Sequence, residues 1–457
     1  MNASLCIVGG GPTGLMLGCL AQLNGIKSII IEKNVRRDHR PKAVMIHARQ
    51  LELFDRIGVL EDFLKKGLVQ EKINFQRNDG MKWSIDFNNL DSIFPFYLNI
   101  TQPDIEEILE NLYVAIGGVL HHSVAYEDHY DADHSVKVHC KRGGVDSVNI
   151  DCEFLVGCDG GSSSVRKNLN VQFEGNTFQA PYLLGEGIPD TKISSSATSS
   201  MLITPNGVVS WLPFPDGRIR IAGPGLKTAS DTDCELSEDT FQSLQATLVP
   251  NEWPRIIRTD RRAYYRVHSR IANKWGRSRV WLAGDAAHLN PPAGGQALNL
   301  GFGDAESIVE SIKVSQKESL SAAFMKYEVE RKSVAQSTLQ LVDMMPLVQR
   351  MAQADDTTSE VIQDELDKLA PKLSHLYIDH SATGLDILGS DNMTIRSSIA
   401  VGRRYPWWSQ KSNSNSITHR GILLTELTRI KPNPYLDIII SPDGIVRSIS
   451  KVNTEVM

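Results

Sequence analysis

The stretch that decides the fold runs from Leu5 to Glu32, LCIVGGGPTGLMLGCLAQLNGIKSIIIE. An apolar run, Leu5 to Val8, leads into Gly9-Gly10-Gly11-Pro12-Thr13-Gly14; helical spacing follows to Asn24, and Gly25 stops it before a second apolar run, Ser28 to Ile31. Short apolar runs bounded by glycine suit strands of a buried parallel sheet, and the helix between them completes one βαβ unit of about 30 residues. Gly9, Gly11 and Gly14 spell GxGxxG between strand and helix, where bare backbone lets a pyrophosphate reach the unpaired amides and positive dipole end of the helix. Glu32 closes the second strand. A carboxylate there accepts hydrogen bonds from an adenosine ribose and repels a 2′-phosphate, so the nucleotide expected is FAD or NAD.

The bulk properties leave room for more than this unit. At 457 residues the chain exceeds the roughly 250 to 300 residues at which single cores stop growing, so two or three domains are expected. A hydrophobic fraction of 41%, a charged fraction of 22% and a net charge of −6 describe an ordinary globular chain with no electrostatic call for nucleic acid or an anionic membrane. Cysteines 6, 19, 140, 152, 158 and 234 form no CxxC and no paired ligand spacing, so reduced thiols are expected and neither a disulfide framework nor a metal site. The first strand begins almost at once, without a basic n-region or cleavage site, and no apolar run approaches the roughly 18 residues a membrane span needs. The reading is a cytoplasmic protein.

Along the chain, HARQLELFDRIG has helical period and ends at Gly58, and TQPDIEEILENLYVA reads as a helix with proline and acids in its first turn. INFQRN and MKWSIDF flank Asp79-Gly80 as a hairpin, and between about 176 and 271 the turns Pro205-Asn206-Gly207 and Pro215-Asp216-Gly217 punctuate a β-rich meander. This looks like a second domain inserted into the first. Helical pattern returns to about 370, and a small appendage follows from near 395, with a terminal hairpin around Ser441-Pro442-Asp443-Gly444.

Two more segments carry chemistry. Phe154-Leu155-Val156-Gly157 ends in CDGGSSSVR, which puts Asp159 and Gly160 at a strand end before a helix start; Asp159 suits a helix cap as well as a ligand contact, and Arg166 a surface charge as well as a binding one. The run Val280-Trp281-Leu282-Ala283 leads to GDAAHLNPPAGGQALNLG, where Gly284-Asp285 brings a carboxylate to the carboxyl edge of a parallel sheet, in reach of a ribityl hydroxyl. Past Pro292, Gly294 and Gly295 leave amides uncovered at the start of a helix beginning near Gln296. Such a helix end stabilises an anion developing on a flavin ring, although a tight strand-to-helix connection would use the same residues.

Taken together, VGGGPTG with Glu32, LVGCDGGSSSVRK and VWLAGDAAHLNPPAGGQALNLGFGDA resemble, in order and separation, the three fingerprints of the class A flavoprotein monooxygenases, within them the phenol and polyketide hydroxylase branch. The likeness covers about residues 1 to 345. It implies an α/β fold: a Rossmann-like FAD-binding domain (1–71, 99–175 and 272–345), an inserted mixed or antiparallel β-sheet substrate domain (72–98 and 176–271), a helical connector (346–394) and a short C-terminal part (395–457) resembling a reduced thioredoxin-like domain. It also implies FAD contacts from Gly9, Gly11, Pro12, Thr13, Gly14, Glu32, Lys33, Gly284, Asp285, Pro292, Gly294, Gly295, Gln296, Ala297, Leu298 and Asn299, and contacts to both FAD and NAD(P)H from Asp159, Gly160 and Arg166. Arg49 is similar to the family arginine at the flavin and substrate edge, and Gln102 to a flavin-contacting glutamine. The chain departs from the pattern at Ala297, where the family usually has glycine, and at Gly303, where glutamine is common.

The implied reaction is transient NADPH or NADH binding, flavin reduction, and O2 chemistry through a C4a-hydroperoxide that hydroxylates an aromatic or polyketide-like molecule. No second GxGxxG supplies a separate dinucleotide domain. Arg36, Arg37, Arg40 and Lys42 form a basic loop, of which Arg40 and Lys42 are the candidates for the nicotinamide cofactor's phosphates. Trp83, Tyr97, Tyr182, Trp211 and Phe214 are aromatic candidates for the substrate walls, each equally suited to a core. Baeyer–Villiger insertion, antibiotic inactivation and a flavin-binding protein without turnover remain as alternatives, and the chain is expected as a monomer or homodimer.

Overall fold

The structure, a computed structural model, describes residues 1–375 apart from 37–44, 133, 179–180, 195, 206, 226–233, 318 and 343–344, and beyond them the backbone of three strands between 428 and 451. Its first sheet places, side by side, Gly276–Arg277, Val280–Leu282, Asp146–Gly157, Asn2–Val8, Ser28–Ile31 and Val119–His121. The last five run parallel, with Val8 opposite Gly157 on one side and Ile31 on the other. Val124–Asp131 and Val136–Arg142 continue Asp146–Gly157 as antiparallel neighbours. The four residues of Ser28–Ile31 are all buried, as a strand covered on both faces requires.

Helix Pro12–Leu23 packs against both Gln102–Ala115 and Gln296–Ser315, and all three share the core of this sheet. Pro12 starts the first of them, where a missing amide hydrogen costs nothing. Thr101 caps the second through the Asp104 amide. Close approach is built into the small residues: a Cβ at Gly18 would fall 2.8 Å from both Ile30 and Tyr113.

A second sheet has the order Cys234–Glu235, Ile256–Tyr265, Tyr182–Pro189, Ile219–Pro224, Gly207–Pro213, Ser200–Thr204, Lys72–Arg77 and Lys82–Asp86. Its pairings are antiparallel except where Ser200–Thr204 joins Lys72–Arg77. The hairpin at Gly80 (φ +94) and the turns at Gly207 (φ +122) and Gly217 (φ +82) lie where the sequence places them. Alternation separates two faces. Leu183, Trp211, Ile219 and Ile221 meet the helix Glu238–Leu248, with Gly185 making room for the Phe241 ring. Phe75, Ile203 and Leu212 point the other way, into a cluster with Trp83, Phe214 and Tyr97.

The helices Met345–Gln353 and Asp356–Asp367 cover part of that second cluster, burying Met351, Ile362 and Leu366 against it. A small sheet of Met45–Ile46, Tyr97–Asn99 and Leu68–Gln70, and another of Phe173–Thr177, His268–Ala272 and His288–Leu289, complete the body. Near the end of the chain, Thr428–Asn433, Leu436–Ile440 and Val446–Lys451 form a three-stranded antiparallel sheet. The expected opening strand of the thioredoxin-like part, in VGRRYP, lies outside the described residues.

Candidate functional site

Three strand ends of the parallel sheet converge. The first strand passes into Gly9, whose φ of +110 and whose Cβ position, 2.4 Å from the Cys158 carbonyl oxygen, admit only glycine. At Gly14 a Cβ would sit 2.0 Å from the Gly9 oxygen, so the helix starts directly over the turn. Gly11 differs. Its backbone is ordinary extended chain (φ −76), and a Cβ would meet no heavy atom within 4 Å. The helix behind it has neither a side-chain cap nor a first-turn acid, so its leading amides face that open space. Glu32 closes the lip: its carboxylate accepts the Gly10 and Asn34 amide hydrogens, both at 2.8 Å. Each of its oxygens keeps lone-pair capacity for a ribose hydroxyl. Lys33 and Arg36 beside it are exposed.

At the second strand end, Asp159 acts as a cap. Its carboxylate accepts Ser163 Oγ at 2.5 Å, the Ser164 amide at 2.7 Å and the Val165 amide at 3.3 Å. Gly160 (φ +81) again has open space around its Cβ position. Arg166 is buried, donating to the Ala286 carbonyl at 2.9 Å and the Gly161 carbonyl at 2.7 Å while lying 3.9 Å over the Phe173 ring. Burial lowers its pKa. It fastens the second strand end to the third.

The third strand end reaches Gly284 (φ +57), where a Cβ would come within 2.6 Å of Thr13 Oγ1; the same hydroxyl sits 2.3 Å from the Cβ position of Gly301. Thr13 of the first segment is therefore wedged between Gly284 and Gly301 of the third, and Asp285 stands exposed beside them. Beneath lies a charged group that sequence reasoning missed as a unit. Asp304 is fully buried and accepts the Gly284 amide at 2.9 Å, His288 Nε2 at 2.8 Å and Arg331 Nε at 2.8 Å. Burial alone would push this carboxyl up, but His288 and Arg331 hold it down to about 2. Gly303 makes space for the pair: a Cβ there would fall 2.7 Å from Arg331 Nη2. The proximity of His288 to the Gly-Asp pair was a usable local signal; nothing near Arg331 pointed to it.

Past the exposed Pro292, Gly294 (φ +67) and Gly295 (φ +64) turn the chain into the helix Gln296–Ser315, which has no side-chain cap and no first-turn acid. Asn299 is buried and ties this turn to the neighbouring segment: it accepts the His47 amide at 3.0 Å and donates to Met45 O at 2.9 Å and Gly295 O at 2.7 Å. Leu298 is buried and Ala297 partly so. Arg49 is buried with its guanidinium 3.0 Å from Glu306, which also pairs with Arg56. Gln102 donates to Glu106 at 2.8 Å. Arg37, Arg40 and Lys42 lie outside the described residues.

The aromatic candidates divide. Tyr97, Trp83 and Phe214 share the apolar cluster that includes Met45, and Met45 abuts the Cβ position of Gly295. Trp83 gives its indole hydrogen to Ser359 O at 3.3 Å, and Tyr97 its hydroxyl to Lys72 O at 3.1 Å. Trp211 belongs to the opposite face of the second sheet, beside Trp253. Tyr182 is half-buried and edge-on to Tyr265 at 5.6 Å. No helix among the described residues is long and apolar enough to cross a membrane, and no group of three or more His, Cys, Asp or Glu side chains among them is placed to hold a metal.

Residues 2–342 match the family described as FAD binding domain, and the chain belongs to that family. The likeness to class A flavoprotein monooxygenases agrees with this membership. Among curated relatives, a rifampicin monooxygenase of Streptomyces venezuelae is 32% identical over 305 residues, 65% of this chain and 61% of that protein. A 12-dehydrotetracycline 5-monooxygenase/anhydrotetracycline 6-monooxygenase of Streptomyces rimosus is 30% identical over 358 residues, 74% of this chain and 68% of its own. The match thus spans less than two thirds of the rifampicin enzyme's length. In fold, the anhydrotetracycline hydroxylase OxyS from Streptomyces rimosus superposes with a TM-score of 0.74 at 22% identity, covering 100% of this chain and 97% of that one.

Proposed function

We propose that this chain is an FAD- and NAD(P)H-dependent monooxygenase that hydroxylates an aromatic or polyketide-like small molecule with O2. The observation that carries the reading is the open face at Gly11, with uncapped helix amides behind it and Glu32 at its lip, which fits a pyrophosphate and its ribose. Gly284, with Asp285 next to it, and the uncapped start of the helix Gln296–Ser315 suit the ribityl chain and the ring end of the same cofactor. Bound FAD supplies the redox chemistry and O2 activation; the chain binds it, orients it and excludes water.

Residues 1–71, 99–175 and 272–345 are proposed to hold FAD, and 72–98 with 176–271 the substrate. Of the aromatic candidates, Trp83, Tyr97 and Phe214 are favoured as substrate neighbours because they share a cluster with Met45 at the helix start; Trp211 faces the other way. Arg40 and Lys42 are proposed for the nicotinamide cofactor's phosphates.

The test is NADPH oxidation by the FAD-loaded protein across phenols, naphthoquinones, anthrones and anhydrotetracycline, with mass and structural analysis of products. Substrate-stimulated oxidation with a product heavier by one oxygen atom supports the reading. FAD binding without turnover across the panel would move the chain to the flavin-binding alternative.

A further inference from the structure

Two histidines outside the three fingerprints converge on the turn that starts the helix Gln296–Ser315. His47 Nε2 lies 2.7 Å from the Gly294 carbonyl oxygen, and Gln296 Nε2 lies 2.8 Å from the same oxygen and 3.2 Å from the Leu373 carbonyl. A carbonyl accepts only, so both nitrogens must carry hydrogen, and the 3.2 Å separation of His47 Nε2 from Gln296 Nε2 is two donors sharing one acceptor. The amide orientation of Gln296 is thereby settled, and its Oε1 is left facing His375 Nε2, which must donate to it. Turning the amide over would set Oε1 against two carbonyl oxygens. Every member is buried: His47 and Gln296 are 0% exposed and His375 6%.

The target of this clamp is unusual backbone. Gly294 and Gly295 are both left-handed, at φ +67 and +64, and the peptide between them is held at its nitrogen by the Gly295 amide bond to the Pro292 carbonyl at 3.2 Å. Two donors draw the Gly294 oxygen inward, toward His47 and Gln296. Without them the Gly295–Pro292 bond is left to hold the peptide, and a rotation that brought its oxygen to the mouth of the helix would set a negative partial charge against any anion the amides bind. His47 is fixed in turn, its own amide bonded to Asn299 and its ring flanked by Phe87, Tyr97 and His375 at 6.3, 6.0 and 6.5 Å. Burial lowers its pKa to about 4, so at neutral pH it offers the single N–H the geometry uses.

We infer that His47 and His375 are positioning residues for the flavin ring: His47 directly, and His375 by orienting Gln296, they hold the Gly294 carbonyl away from the helix start. This rests on the proposed FAD site. It also makes residues 373–375, far from any fingerprint, part of the device that shapes the ring end; the Arg49 amide reaches the Ser374 carbonyl at 3.3 Å in the same place.

The test compares His47→Leu and His375→Leu with His47→Gln and His375→Gln in the full chain. Apoprotein melting, FAD affinity, the visible spectrum of bound FAD and its midpoint potential are measured. The leucine variants are expected to weaken FAD by roughly tenfold or more and to shift its potential; a tenfold change in preference between oxidised and reduced flavin reads as about 30 mV for a two-electron couple. The glutamine variants, which keep a donor, should recover most of both. Leucine variants with wild-type affinity, spectrum and potential would overturn the inference, as would glutamine variants no better than leucine. Should His47→Leu not fold, His375→Leu and the two glutamine variants decide alone. Wild-type protein that takes up no FAD would instead overturn the functional reading itself.

Discussion

Alanine at Gly11 and alanine at Gly14 should fail in opposite ways, because the two glycines exist for different reasons. Gly11 has φ −76 and ψ −179, which alanine adopts freely, and its added methyl would meet nothing within 4 Å. A glycine-to-alanine change at a compatible position removes unfolded-state freedom and stabilises a protein by about 0.4–1 kcal/mol. Apoprotein carrying Gly11→Ala should therefore melt at or slightly above the wild-type temperature. The same methyl occupies the space where a pyrophosphate must touch backbone. FAD affinity is expected to fall by at least roughly tenfold, about 1.4 kcal/mol.

At Gly14 the methyl would lie 2.0 Å from the Gly9 oxygen and 3.3 Å from Ile7 Cγ2. Backbone must move to admit it, and overpacking of this kind costs about 1–3 kcal/mol or more even without ligand. Gly14→Ala should then lower apoprotein stability first and FAD binding as a consequence. The assay is thermal denaturation of both apoproteins by circular dichroism, with FAD titrated by quenching of flavin fluorescence. Wild-type FAD affinity in Gly11→Ala would refute the placement of the pyrophosphate. A destabilised Gly11→Ala apoprotein would refute the open space from which that placement is argued.

Removing the carboxylate of Asp304 by Asp304→Ala leaves Arg331 buried without its anion, so urea unfolding of the apoprotein should show a loss of about 3–5 kcal/mol; a loss within ordinary surface-mutation range would mean the group is not the anchor of the Gly284 turn. Acid should expose His47, whose folded pKa of about 4 lies below its ordinary 6.5. The unfolded chain binds that proton first, so the contribution is complete above pH 6.5 and is lost toward pH 4, reaching roughly 3 kcal/mol. His47→Gln should flatten this part of the pH–stability curve, and an unchanged slope between those limits would count against a buried neutral ring. Asp304, depressed from 3.8 to about 2, adds a further loss over that lower interval. Charge removal at both Arg40 and Lys42 should raise the Michaelis constant for NADPH at unchanged FAD content; unaltered kinetics remove that assignment.

Local chemistry explains what was legible beforehand. The strand, glycine turn and helix from Leu5 to Glu32, the hairpin at Gly80, the proline-led helix from Gln102 and the helix start at Gln296 each depend on residues within a few positions of one another. A glycine forced to positive φ or a hydroxyl set before an apolar repeat has the same meaning in any context, and three such segments sufficed to suggest a dinucleotide fold with a flavin.

Partners distant in sequence were a different matter. Asp304 meets Arg331 across 27 positions, Arg166 meets Ala286 across 120 and His47 meets Gly294 across 247. Periodicity tells which face of an element is buried but not what it is buried against, so Trp211 and Tyr97 read alike as aromatic candidates until the second sheet set them on opposite faces. Asp159 and Arg166 suit structure as well as ligand contact in the sequence; the fold shows the structural bonds, with Asp159 accepting the first amides of a helix and Arg166 tying two strand ends together. The sequence by itself determined the turns and the kind of anion they can cradle, because those follow from backbone freedom within a few residues. Only the tertiary structure decided which charges lie beneath the turns and which histidines hold them in shape, because a buried polar group takes its role from whatever the fold brings within hydrogen-bond distance.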